Sequence, residues 1–239
     1  MVVLGFDTST KSASVSLMKD GSILGEIIIN DKRTHSQKIM PILENLLELS
    51  DMDLDDVDLL AVSIGPGSFT GIRIALSTVK AISHVKKLDI VGVNSLESLA
   101  YNVNISDKII IPVIDAQKDQ VYTGGFRHGK CGFECIQMPT VMSVSEVIDY
   151  VNGNEEDVVI VGEAVEKFGD SINNKYITVS DSIYNIPKAS SICALALDKY
   201  KRGEDVYTCY DIEALYIRKS QAEMQYEEKQ RKLGERNDL

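Results

Sequence analysis

Apolar residues follow two rhythms along this chain, and the changes of rhythm mark out its elements. Val2 to Phe6 is an unbroken apolar run ending at Asp7. From Ala13 to Met18 the pattern alternates, with Ala13, Val15 and Leu17 on one side and Ser14 and Ser16 on the other, the period of a strand. Lys19-Asp20-Gly21 has turn chemistry and Ser22 to Ile29 returns as a strand, so the chain opens on a three-stranded meander. The period then lengthens. Ile39, Ile42, Leu43, Leu46 and Leu47 recur at helical spacing, predicting a helix from Ser36 to Leu49, capped by Thr34 or Ser36 and distorted in its first turn by Pro41. An acidic loop from Asp51 to Asp58 and a buried strand from Leu59 to Ile64 follow.

Gly65-Pro66-Gly67-Ser68-Phe69-Thr70-Gly71 leads into a predicted helix from Ile72 to Val85. Ile72, Leu76 and Val79 form one apolar stripe, and Ile74, Ala81 and Val85 form another. A helix apolar on most faces must be covered on most faces, one by the sheet and the other by a second element or a second molecule. Asp89 to Val93 reads as a strand and Leu96 to Tyr101 as the start of a helix.

Then the opening pattern recurs. Ile109 to Ile114 is an apolar run ending at Asp115, Gln120 to Phe126 is a strand, Arg127 to Lys130 a turn, and Phe133 to Met138 a returning strand. Asp7 lies fourteen residues before Gly21, and Asp115 fourteen before Gly129. The repeat reads as a duplicated α/β domain. A helix from Ser145 to Val151, a strand from Asp157 to Val161, and helices near Ala164 and from Ala189 to Tyr200 complete the second half. The expected division is residues 1–106, residues 107–217 with the last helix packing back on the first domain, and a tail, 218–239. Eleven of the tail's twenty-two residues are charged, with both signs mixed, the pattern of a frayed or disordered end.

Composition narrows the class. The chain has 239 residues, 44% hydrophobic and 26% charged, which excludes wholesale disorder. Charge arithmetic gives 25 − 36 = −11. So acidic a fold repels phosphate backbones and is a poor stand-alone nucleic-acid binder. No apolar run approaches the ~20 residues that cross a bilayer, and the N-terminus lacks the regions of a secretory signal. The cysteines Cys131, Cys135, Cys193 and Cys209 fit no disulfide framework for so long a chain. The reading is a soluble, reduced, cytoplasmic protein with no membrane partner.

Candidate chemistry concentrates in loops. Asp7-Thr8-Ser9-Thr10 puts a carboxylate at a strand end, followed by hydroxyls, a pattern that holds a hydrated metal and phosphates or simply caps the strand. Asp115 repeats it, and a cleft between twin domains needs one such loop from each. The second loop, Ala116-Gln117-Lys118-Asp119, has no glycine before Gly124, whereas close approach of backbone to phosphate favours glycine. Gly162-Glu163 either sits near an adenosine or makes a turn. Gly65 to Gly71 opens a helix, so it either binds an anion or is a tight turn with close packing; it lacks the Walker ending. None of the histidines His35, His84 and His128 lies four residues from another, and His128, Cys131 and Cys135 match no zinc spacing, so neither metal nor cofactor is expected. Serine and cysteine nucleophiles find no partnered base.

These strings are familiar together. Phe6 to Thr10, His35-Ser36, Gly65 to Arg73, Val91-Gly92-Val93, Pro112 to Ala116 with Tyr122, and Tyr216 to Glu223 resemble the TsaB (YeaZ) family, and the likeness runs through nearly the whole chain. The resemblance implies the actin-like ATPase (ASKHA, ribonuclease H-like) fold with two duplicated α/β domains. It implies a part in making threonylcarbamoyladenosine at adenosine 37 of tRNAs reading codons that begin with A. The catalytic paralogue of that family, TsaD, transfers the threonylcarbamoyl group supplied by TsaC as an adenylate and holds a metal through a His-x-x-x-His pair. Here the corresponding positions are Ser95 and Leu99, and neither replaces an imidazole ligand.

The resemblance therefore implies a non-catalytic scaffold that heterodimerises with TsaD, joins the ATPase TsaE in a larger complex, meets tRNA only indirectly and forms a homodimer alone. It implies a pairing surface of His35, Ser36, Ile39, Leu43 and Leu46 on one helix and Phe69, Arg73, Leu76, Ser77 and Lys80 on the other. Asp7, Thr8, Ser9, Thr10, Asp115 and Gly162 become vestigial nucleotide loops. Two alternatives are an active ATPase or phosphotransferase, which needs a permissive second loop, and a metal-dependent peptidase or transferase, which needs paired histidines.

Overall fold

The chain builds the same five-stranded pattern twice. The structure, a computed structural model, describes residues 1–31, 35–129, 132–153, 155–172 and 174–218. In the first half β1 (Val2–Asp7), β2 (Ser12–Lys19) and β3 (Ser22–Asn30) form the antiparallel meander. After α1 (His35–Leu49), β4 (Leu59–Gly65) lies parallel to β1; after α2 (Phe69–Lys86), β5 (Ile90–Asn94) lies parallel to β4. A short helix, α3 (Ser95–Tyr101), leads to the second half. There β6 (Ile109–Asp115), β7 (Gln120–Gly129) and β8 (Gly132–Ser143) repeat the meander; α4 (Val144–Asn152) precedes β9 (Val158–Val161), parallel to β6, and β10 (Ile177–Val179) is parallel to β9. The sheets run β3-β2-β1-β4-β5 and β8-β7-β6-β9-β10, the same order. The remaining elements, α5 (Ala189–Arg202) and β11 (Val206–Tyr207), return to the first half, where β11 pairs antiparallel with β5.

Alternation decides which side of each strand meets which helix. Leu4, Phe6, Val15 and Leu17 share a core with Ile39, Leu43 and Leu46 of α1 and Ile72, Leu76 and Val79 of α2. Val3, Leu59, Ala61, Val91 and Val93 point the other way and pack on Ile192, Cys193 and Ala196 of α5. The first sheet is therefore covered on both faces, as its parallel strands require. Ser14 and Ser16, on the polar side of an alternating run, are buried as well: Ser14 Oγ accepts from Ala189 N at the start of α5 (2.9 Å), and Ser16 Oγ donates to Gly25 O (3.1 Å). The second sheet packs α3 on one face and α4 on the other.

Helix ends follow local chemistry. Ser68 caps α2, its Oγ accepting from Gly71 N, and Lys87 closes the helix in the left-handed region. Ser143 and Glu146 form a reciprocal capping box on α4. Several expectations are corrected. Ser36 lies inside α1, which begins at His35, and Thr34 lies outside the described residues. Pro41 sits mid-helix, not in the first turn, and its carbonyl accepts from Asn45 Nδ2 (2.7 Å). The predicted helix near Ala164 is a 3₁₀ segment, Val165–Ser171, broken at Gly169. The returning strand runs on to Ser143 because Thr140, Val141 and Met142 keep pairing with β7. Of the charged tail only Arg218 is described; 219–239 lie outside.

Candidate functional site

Equivalent positions in the twin sheets place Asp7 at the end of β1 and Asp115 at the end of β6. A cavity of about 560 Å³ lies between the loops that follow them, lined by Ser9, Thr10, Ser68, Phe69, Asp115 and Glu163, with Asp7 beneath its wall. Asp7 is buried. Its Oδ1 accepts from Ser9 N and Ser9 Oγ, both at 2.7 Å, and its buried Oδ2 has no partner among the described residues. Burial pushes this carboxyl up to about 6, with Glu163 and Glu26 adding in the same direction against the Ser9 hydrogen bonds.

The first loop is packed tightly from behind by the glycine-rich turn. Ser68 N donates to Ser9 O (2.7 Å), and Thr8 Oγ1 donates to Gly71 O (2.7 Å). A Cβ on Gly71 would lie 1.9 Å from Thr8 O, and one on Gly67 2.2 Å from Ser9 O. Of the two readings of Gly65 to Gly71, close packing therefore accounts for Gly67 and Gly71: they let one loop lie on the other's backbone.

The second loop is built differently. Gln117 (φ 71°) and Lys118 (φ 53°) take left-handed backbone with full side chains. Asp115 Oδ1 accepts from Gln117 N (2.7 Å) and from Lys167 Nζ (2.7 Å). The same ammonium donates to Lys118 O (2.8 Å) and Gln120 O (3.1 Å). Burial raises the Asp115 carboxyl, but the Lys167 hydrogen bond and charge and the Gln117 amide outweigh it and hold the group below its ordinary value. Gly162 has φ 133°, and a Cβ there would lie 2.1 Å from Val113 O; its N–H donates to Asn185 Oδ1 (2.8 Å). Glu163 follows, its carboxyl raised by burial against the opposing charge of Lys11.

The two helices divide the residues expected on a pairing surface. Ile39, Leu43, Leu46 and Leu76 are buried in the chain's own core, because the stripe of Ile72, Leu76 and Val79 is the one that faces the sheet, and only Ile39 and Leu76 reach the floors of the outer hollows. The other stripe faces out, with Val85 73% exposed. Between α1 and α2 a groove of about 480 Å³ is lined by Ser36, Met40, Thr70, Arg73, Ile74 and Ser77. Lys80 and Ser77 border a neighbouring hollow against Ile212, Glu213 and Tyr216. His35 ties the start of α1 to the first loop, its Nε2 bonded to Thr10 O (2.8 Å).

Phe69 and Arg73 are held by the C-terminal segment. Tyr216 stacks on Phe69 (centroids 4.4 Å, 5° between planes), and Arg73 Nε donates to Tyr216 Oη (2.8 Å). Leu215 N donates to Ile64 O (2.8 Å), and Arg218 reaches across to Ala116 O. Ile212 is buried in the first core and Ile217 packs on the second, so the segment from Thr208 to Arg218 straps the halves together. Local sequence carries no signal for this strap or for Lys167, whose partners lie 47 to 52 residues away. Ser95 bonds Ser63 through their hydroxyls (2.6 Å), and Leu99 is buried in the second core. His128 packs on Tyr101 and Phe133, Cys135 Sγ donates to Gln137 O, and Cys131 lies outside the described residues. Among the described residues no three His, Cys, Asp or Glu side chains gather as a metal site, and no helix is long and apolar enough to cross a membrane.

Comparison with known proteins places this geometry. Residues 22–226 match the family model described as "TsaD: tRNA N6-adenosine threonylcarbamoyltransferase". The chain is 27% identical over 234 residues to the tRNA threonylcarbamoyladenosine biosynthesis protein TsaB of Bacillus subtilis (strain 168), covering 97% of this chain and 100% of that one. It is 26% identical over 231 residues to the protein of the same name in Escherichia coli (strain K12), covering 93% and 96%. Among solved structures it resembles a Pseudomonas aeruginosa protein described as uncharacterized with similarity to peptidase YEAZ, with TM-score 0.77, 26% identity, and coverage of 91% and 99%.

Proposed function

Because the chain belongs to the family described as "TsaD: tRNA N6-adenosine threonylcarbamoyltransferase", we propose that it is the non-catalytic partner of a catalytic paralogue in that reaction. It has the actin-like ATPase fold in two halves, and its TsaB-named relatives support a role in threonylcarbamoyladenosine biosynthesis. In this reading the chain works in the cytoplasm as a scaffold. It pairs with the TsaD-like subunit, joins a TsaE-like ATPase in a larger assembly, leaves contact with tRNA to those subunits, and pairs with itself when alone.

The observation that carries the reading is the groove between α1 and α2. Met40 is 44% exposed there beside Ile74, and no described element of the chain covers it. Apolar surface presented by two adjacent helices is what a second pair of helices buries. The pairing surface is accordingly the outward residues Ser36, Met40, Arg73, Ile74 and Ser77, and the inward ones set the position of the helices. Net charge of −11 suits a subunit that does not itself grip tRNA.

The test is reconstitution. Threonylcarbamoyl transfer to tRNA is measured with and without this chain, the other components held fixed. Met40→Glu and Ser77→Arg are expected to abolish co-elution with the TsaD-like subunit and to lower transfer to the level without the chain, while the melting curve of the isolated chain is unchanged. Complexes that survive both substitutions would sink the assignment.

A further inference from the structure

The Asp115 loop has the make-up of a cation site. Asp115 Oδ1, Lys118 O and Gln120 O converge on one point, at 2.7, 2.8 and 3.1 Å from Lys167 Nζ. One carboxylate and two carbonyls are the oxygen donors that hard cations take. Here the cation is part of the chain. An ammonium has three N–H donors, and all three are used. Lys167 arrives from the 3₁₀ segment after β9, while its acceptors are the last residue of β6, the first residue of β7 and Lys118 in the turn between them. The left-handed backbone at Gln117 and Lys118 is costly for residues with a Cβ, and an ammonium bonded to both ends of that turn opposes the cost.

We propose that the Asp115 loop is a cation site whose resident cation is the ε-ammonium of Lys167, which holds the loop shut without any metal. A nucleotide carrying a divalent metal into the cleft would find this carboxylate already neutralised and its loop already bonded. The fold family implies such a nucleotide, and the second-half loop does not fit it. The biological meaning rests on the reading of the chain as a non-catalytic partner; the assignment of Lys167 stands on its contacts alone.

Two measurements test it. The intact protein is treated briefly with an amine-acylating reagent and the sites are read by mass spectrometry. Lys167, though partly open to solvent, is expected to react about tenfold more slowly than exposed Lys19, as a charge-assisted triple hydrogen bond predicts. Lys167→Ala is then expected to melt lower than the wild type and to regain part of the difference in methylammonium chloride, whose ion donates three N–H bonds. It should gain nothing specific in equimolar tetramethylammonium chloride, whose ion donates none, and wild type should not distinguish the two salts. Equal labelling of Lys167 and Lys19, or equal action of the two salts on the variant, overturns the proposal. If Lys167→Ala does not fold, labelling of the intact protein decides alone. Failure of the pairing test above would overturn the functional reading and leave the labelling result untouched.

Discussion

Replacing Asp7 by asparagine is expected to make the protein more stable at neutral pH and to remove the part of its pH dependence that this carboxyl carries. The carboxyl is fully buried, and its pKa is about 6 in place of 3.8. At 1.36 kcal/mol per pH unit, the gap between the two values makes ionising Asp7 cost the folded state about 3 kcal/mol. The sign follows from where the proton binds more tightly. A folded pKa above the unfolded one gives a contribution fully present below about 3.8 and lost as pH rises through about 6. Asparagine keeps an oxygen for Ser9 N and Ser9 Oγ and puts an uncharged group where Oδ2 lacks a partner. Urea unfolding of both proteins from pH 4 to pH 7.5 checks this. Because the unfolded carboxyl already begins to ionise below pH 4, the variant should gain about 2.4 kcal/mol relative to wild type between pH 4 and pH 7.5, equivalent to about 5–10 °C in melting temperature for a chain of this size. A constant offset between the two proteins would refute the reasoning, because any fixed cost of the amide moves the offset and not its slope. A gain that grows as pH falls would refute it as well.

Two further outcomes follow from the packing. Leu76→Asp puts a charge into the core shared with β1 and should unfold the isolated chain, with loss of the far-ultraviolet circular dichroism signal; a folded but unpaired variant would show that the stripe faces outward after all. Gly71→Ala drives a methyl to within 1.9 Å of Thr8 O, and the local shift it forces should lower stability by about 1–3 kcal/mol in urea; an unchanged midpoint would show that the two loops are not in contact.

Much of the fold was legible in local pattern. The runs ending at Asp7 and Asp115, with glycine turns fourteen residues on, announced a duplication, and the two sheets repeat one strand order. Periodicity located α1, α2, α4 and α5 because an amphipathic helix shows its buried stripe at 3.6-residue spacing. It failed near Ala164, where the backbone breaks at Gly169, and it could not say which stripe of α2 met the sheet, since both are apolar. The candidate site was half legible. The aspartates and the bulky second loop could be read from residue types, because strand ends and glycine content are local properties.

The sequence by itself determined the elements, their duplication and the chemistry of the loops, since each rests on neighbours within a few turns of chain. Tertiary structure alone decided how those loops are used. It drew Ser14 and Ser16 under α5, brought Lys167 to Asp115 from more than fifty residues away, and laid Tyr216 on Phe69 and Arg73. Contacts between residues so far apart depend on how two sheets and a returning strap come together. No periodicity along the chain records that arrangement, because the free energy that selects it is the burial of many distant faces at once.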